Sequence, residues 1–171
     1  MRNRPIGIFD SGLGGLTVLK ALTRLLPNEN LIYFGDTAHV PYGSKSKKTI
    51  TEYSLSIANF LTSRDIKLLV IACNTASSAA GDTLKKHLGI PVIGVIEPGA
   101  RAACQASVNS KIAVIGTEAT IRSGAYTKAV KKLNKQAQVF DKACPLFVPL
   151  VEEGWWEGDV TELTAFRYLE P

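Results

Sequence analysis

Six short apolar runs punctuate the chain, at Pro5–Asp10, Leu31–Phe34, Leu68–Ala72, Ile90–Ile96, Lys111–Ile115 and Ala137–Phe140. Runs of this length bounded by polar or glycine-rich turns are the pattern of buried parallel strands. Between them the apolar period changes to that of helices. Leu16, Leu19, Leu22 and Leu26 mark the first, and Tyr53, Ile57, Phe60 and Leu61 form the predicted core face of the second, Thr49–Ser63. Further helices are predicted over Ala76–Leu88, Ala100–Ala106, Thr120–Leu133 and Gly158–Glu170. Strand and helix alternate, which predicts an α/β fold of doubly wound parallel sheets with right-handed crossovers. Glu97-Pro98-Gly99 reads as a hinge between two units, residues 1–97 and 98–171, in a pseudo-symmetric arrangement. Ile6–Gly12 matches Ile112–Thr117 in pattern, so Asp10 aligns with Thr117. The same offset carries a counterpart of Cys73 past Pro171, and the second unit is therefore expected to be incomplete.

The stretch Leu68–Ser77 concentrates the candidate chemistry. Cys73 follows a buried strand and precedes small helix-forming residues, so its thiol sits at a strand's carboxyl end, where open α/β sheets place ligands. A helix N-terminus there favours the reactive thiolate. The alternative is a small, inert buried residue. Asn74 and Thr75 can cap the helix or offer donors to a ligand. The turn Ser11-Gly12-Leu13-Gly14-Gly15 also admits two functional readings. One is a dinucleotide site with Asp36 as the ribose-binding acid, but the fingerprint needs glycine where Thr17 stands. The other is a cradle of backbone N–H groups for a small carboxylate, with Asp10 and Ser11 pointing into the crevice of Cys73. A turn with no ligand is the structural alternative.

The 171 residues, 46% apolar and 20% charged, are those of an ordinary globular protein with room for a sizeable core. No apolar run approaches the ~20 residues of a membrane span. The apolar stretch after the basic Met1-Arg2-Asn3-Arg4-Pro5 breaks at Asp10, unlike a signal peptide. Three well-separated cysteines argue against a disulfide framework and for a reducing cytoplasm. Their spacing suggests no metal site. Cys104 is expected in a core, and Cys144–Pro149 as a buried apolar loop. The net charge of +5 collects at Lys45, Lys47 and Lys48 and along Lys128, Lys131, Lys132 and Lys135. Such faces are ordinarily solvated, and without interleaved aromatics they argue against nucleic acid as a partner. His87 falls in a helix's last turn, where a dipole role outweighs catalysis.

The segments Ile6–Val18, Asp36-Thr37 with Val40-Pro41-Tyr42-Gly43, and Ala72-Cys73-Asn74-Thr75-Ala76 resemble signatures of the glutamate racemases, within the aspartate/glutamate racemase superfamily. Val95–Gly99, Ile115-Gly116-Thr117 and Cys144–Glu152 extend the resemblance along the chain in the right order. It implies a cofactor-independent isomerase that interconverts L- and D-glutamate in the cytoplasm, supplying D-glutamate for peptidoglycan, cell-wall biogenesis and cell shape. No metal or cofactor is implied. Two bases face each other across Cα, one taking a proton while the other delivers one. By the resemblance, Cys73 is one base and Asp10 assists it. Substrate contacts fall to Asp10, Ser11, Pro41, Tyr42, Gly43, Asn74 and Thr75, with Thr117 and Thr120 from the second unit. Glutamate is the implied small-molecule partner, and no membrane is involved; a homodimer and DNA gyrase are the protein partners the resemblance suggests. One departure stands out. The family's second cysteine lies in a Gly-Cys-Thr-His-Tyr-Pro segment that does not occur in this sequence. The expectation is the first two-thirds of a racemase, truncated before its second cysteine, with uncovered apolar surface and doubtful activity alone. The alternatives are a catalytically dead glutamate-binding or interaction fragment, and a racemase of a related acidic amino acid.

Overall fold

The computed structural model describes residues 3–170, so Met1 and Arg2 of the basic N-terminal segment lie outside the described residues. Strands β1 (Ile6–Asp10), β2 (Leu31–Gly35), β3 (Leu68–Ile71) and β4 (Val92–Gly94) form one parallel sheet in the order β2-β1-β3-β4. Helices α1 (Leu16–Leu25), α2 (Lys47–Thr62) and α3 (Asn74–His87) connect them. Side chains alternate across the sheet. Ile6, Ile8, Val70 and Ala72 face Val18, Leu19 and Leu22 of α1. Phe9, Leu69 and Ile71 face Ile50, Ile57 and Leu61 of α2 and Leu84 of α3. With both faces covered, the sheet is doubly wound as expected.

A second parallel sheet pairs β5 (Lys111–Gly116) with β6 (Gln138–Ala143). Helix α4 (Ile96–Ala106) leads into it, α5 (Glu118–Ser123) and α6 (Ala125–Leu133) join its strands, and α7 (Phe147–Glu152) and α8 (Asp159–Leu169) follow. Ile112 and Val114 pack with Ala100 and Val130, from α4 and α6. Ile115, Phe140, Trp155, Trp156, Leu163 and Phe166 are all exposed.

Several local expectations change. Glu97-Pro98-Gly99 is not a loop-like break but lies in the first turn of α4. Proline is tolerated there because first-turn N–H groups have no intrahelical partner to lose. Thr120–Leu133 is two helices, since Gly124 adopts the left-handed conformation (φ 61°) that ends α5. Helix α2 starts at Lys47 because Ser46 Oγ accepts the Thr49 N–H at 3.1 Å. Its buried face is Ile50, Ser54, Ile57, Ala58 and Leu61, whereas Phe60 is exposed between Phe34 and the Arg64 guanidinium. Ser54 and Ala58, both fully buried, are the small members of that face. Cys144–Pro149 is not one buried loop: Cys144 is buried, Leu146 is exposed, and Phe147 begins α7. Cys104 is half-buried against the second core.

Candidate active site

The carboxyl ends of β1 and β3 lie side by side, and this juxtaposition assembles the first cluster. Asp10 closes β1 and is 5% exposed. Its Oδ2 accepts the N–H groups of Gly12 (3.2 Å) and Gly15 (2.8 Å). The glycine turn thus cradles an anion, but the anion is the protein's own. This corrects the expectation that these N–H groups face a ligand carboxylate. A Cβ on Gly15 would stand 2.5 Å from Asp10 Cβ, so only glycine fits the cradle. The dinucleotide reading fails in the structure as well. Asp36 is buried, and its carboxylate is taken by the Tyr42 hydroxyl at 2.6 Å and by His39 Nδ1 at 2.7 Å.

Cys73 is itself the N-cap of α3, a role the sequence assigns to Asn74 or Thr75. Its Sγ accepts the Ala76 N–H at 3.3 Å and donates to Ser11 Oγ at 3.2 Å. Burial pushes the Cys73 thiol up; its hydrogen bonds with Ser11 and Ala76 oppose this, and the nearby Asp10 charge adds to it. Burial thus works against the thiolate that a helix N-terminus favours. Tyr33 donates to the Gly12 carbonyl at 3.0 Å, and burial followed by Asp10 pushes its phenol up to about 12.

The second sheet contributes hydroxyls. Thr117 caps α5, accepting the Thr120 N–H. Thr75 Oγ1 lies 3.0 Å from Thr117 Oγ1 and 3.2 Å from Thr120 Oγ1, and Thr117 donates to Thr120 at 3.0 Å. Three threonines from both sheets thus form one closed triangle beside Cys73. Gly43, in a 3₁₀ turn over Tyr42–Ser44, lies against Thr117, where a Cβ would come within 2.8 Å. Tyr42 is buried with its hydroxyl committed to Asp36, while Pro41 and Asn74 are exposed. Asn74 Oδ1 accepts the Tyr126 hydroxyl at 2.6 Å.

A cavity of about 510 Å³ opens next to this cluster, lined by Asn74, Thr117, Thr120, Tyr126 and Cys144. Cys73 and Asp10 are not among its lining residues. A basic cavity of about 540 Å³, with Lys45, Lys85 and Lys128 on its wall, contains none of the candidate residues. Sequence reasoning passed over Tyr33, His39 and Tyr126. Tyr33 reads as one more apolar strand position, His39 pairs locally with Asp36 in a loop without periodicity, and Tyr126 finds Asn74 only across the fold. No described group of acidic, histidine and cysteine side chains could hold a metal ion.

Residues 6–163 match the family model described as Asp/Glu/Hydantoin racemase. The glutamate racemase of Geobacter metallireducens is 61% identical over 166 residues, covering 97% of this chain and 62% of that protein. The crystal structure of glutamate racemase from Francisella tularensis in complex with D-glutamate superposes with a TM-score of 0.93 at 45% identity, covering 99% of this chain and 64% of that one. The Thermus thermophilus glutamate racemase in complex with β-chloro-D-alanine gives a TM-score of 0.88 at 53% identity, covering 99% and 62%. The chain thus spans less than two thirds of the length of these relatives.

Proposed function

The chain belongs to the Asp/Glu/hydantoin racemase family, and we propose that it carries one half of a cofactor-independent glutamate racemase site, with Cys73 as the base serving one face of Cα. The observation that carries this reading is the Asp10–Ser11–Cys73 cluster at the adjoining ends of β1 and β3. The Cα proton of an amino acid is weakly acidic, so its removal needs a base positioned against it, with the developing charge held by nearby donors. As a thiol Cys73 can deliver a proton to Cα; as thiolate it takes one back. Ser11 suits both states, because its hydroxyl accepts from the thiol and, once rotated, donates to the thiolate. Asp10, held by the glycine turn, offers its charge to the substrate ammonium. The Tyr42–Gly43 turn, Asn74 and the threonine triangle are the groups available to the two carboxylates, with Pro41 at the rim. Completed by an opposing base, such a site would yield D-glutamate for peptidoglycan synthesis. Three free cysteines fit a reducing cytoplasm, and no described helix is long and apolar enough to cross a membrane.

Proton NMR of D- and L-glutamate in D₂O with this chain, beside a Cys73→Ser control, tests the proposal. One enantiomer losing its Cα proton without inversion is the expected result. Interconversion of both would mean that a second base is present, and Cys144 on the cavity wall would be examined first. No exchange by a folded chain that still binds glutamate favours the second reading, a binding module.

A further inference from the structure

Asp36 and His39 have no task in the chemistry proposed above, yet they are tightly placed. Asp36 is 6% exposed and follows β2; its N–H donates to the Asp10 carbonyl at 2.9 Å, tying it to the site's floor. Its carboxylate accepts the Tyr42 hydroxyl at 2.6 Å. His39 Nδ1–H donates to Oδ1 at 2.7 Å and lies 3.0 Å from Oδ2. The His39 ring stacks on Tyr53 of α2 with centroids 4.2 Å apart. Beyond Tyr42, Gly43 sits against Thr117, and Thr117 meets Thr75 at 3.0 Å. A continuous chain of contacts therefore runs from His39 through Asp36 and the Tyr42–Gly43 turn to the second sheet, ending two residues from Cys73.

We propose that Asp36 and His39 are positioning residues: together they fix the Tyr42–Gly43 turn against Thr117 and thereby set the geometry of the site shared by the two sheets. A buried carboxylate demands its full set of donors, because an unmet one is costly. Asp36 therefore admits essentially one placement of the 37–45 loop. Tyr42 is the buried donor. His39, with 47% of its side chain exposed, is the donor held in place by its stack on Tyr53 rather than by burial. Gly43 converts that placement into contact, since it lacks the Cβ that would collide with Thr117. As a statement about substrate geometry, the inference rests on the glutamate reading.

The test compares the full chain with His39→Phe, which keeps a ring over Tyr53 but cannot donate to Asp36, and His39→Asn, which restores a donor. Amide hydrogen exchange is followed at residues 42–45 and 117–120, and Cys73 alkylation by iodoacetamide is titrated with D- and L-glutamate. For His39→Phe, faster exchange is expected at both segments, together with an apparent glutamate affinity lowered by about tenfold, the scale of one hydrogen bond to a charged group. His39→Asn should recover most of both effects, and the unfolding temperatures of all three should agree. Unchanged exchange in His39→Phe, or exchange raised at 42–45 alone, overturns the proposal. So does an equal loss of unfolding temperature in both variants, which would make His39 merely structural. If glutamate fails to protect Cys73 in the unsubstituted chain, the glutamate reading falls, while the exchange result still decides the positioning role.

Discussion

The two sheets are built by the same rule and finished differently. In the first, every residue of β1 is buried, and both faces are covered, by α1 on one side and by α2 and α3 on the other. In the second, β5 alternates: Ile112 and Val114 are buried against α4 and α6, while Ala113 and Ile115 point to an open face shared with Phe140. The difference is not visible in composition, because β5 is apolar at both faces from Ile112 to Ile115, and only its burial alternates. The difference does divide the chemistry. The well-packed sheet holds the groups that need fixed geometry and desolvation, Asp10 and Cys73. The sparser sheet lends hydroxyls, through Thr117 and Thr120, to Thr75 of the first.

Substitutions can break this comparison. The largest effect is expected from Cys73→Ser, which should lower glutamate Cα exchange by about 10²–10⁴-fold, the usual worth of a general base. Cys144→Ser, at the end of β6, should leave the NMR exchange rate unchanged. Next comes the packing contrast. Phe9→Ala should cost about 3–5 kcal/mol in urea unfolding, because Phe9 is 0% exposed in the doubly covered core. Phe140→Ala, at 58% exposure on the open face, should stay within about 0.5 kcal/mol. Equal losses would mean that the second sheet's open face is covered in solution.

Gly15→Ala should cost about 1–3 kcal/mol, because its Cβ would strike Asp10 and Ala72. Gly81→Ala in α3, with nothing within 4 Å, should instead stabilise by about 0.5–1 kcal/mol. Thermal unfolding of the pair checks the sign. The smallest effect concerns pH. Burial raises the Cys73 thiol, so the unfolded chain releases that proton first. The associated stability is complete below the unfolded thiol's value of about 8.5 and is lost as pH rises through the folded value. Cys73→Ser should flatten the alkaline fall in urea midpoint.

The sequence made the order of strands and helices legible because each element carries its own period over a few residues. Cys73 at a strand end, Asp10 before a glycine turn, and the likeness of β1 to β5 are local in the same sense. The break at Gly124 is the exception, because helical spacing on either side of it reads as one continuous helix. Pro98 misled in the opposite direction, since proline ends a helix in its interior and begins one in its first turn.

Tertiary structure decided which of these groups meet. The cradle's occupant is Asp10 and not a ligand, because the turn folds back on its own strand. Cys73 is buried in the core that α2 and α3 share, and that burial pushes its thiol up. Thr75 reaches Thr117 and Thr120 across 42 and 45 positions, and Asn74 reaches Tyr126 across 52. Periodicity fixes the face on which a residue stands, within a turn or two of its neighbours. The residue standing opposite depends on how distant segments cross, and that is settled only when the whole core packs.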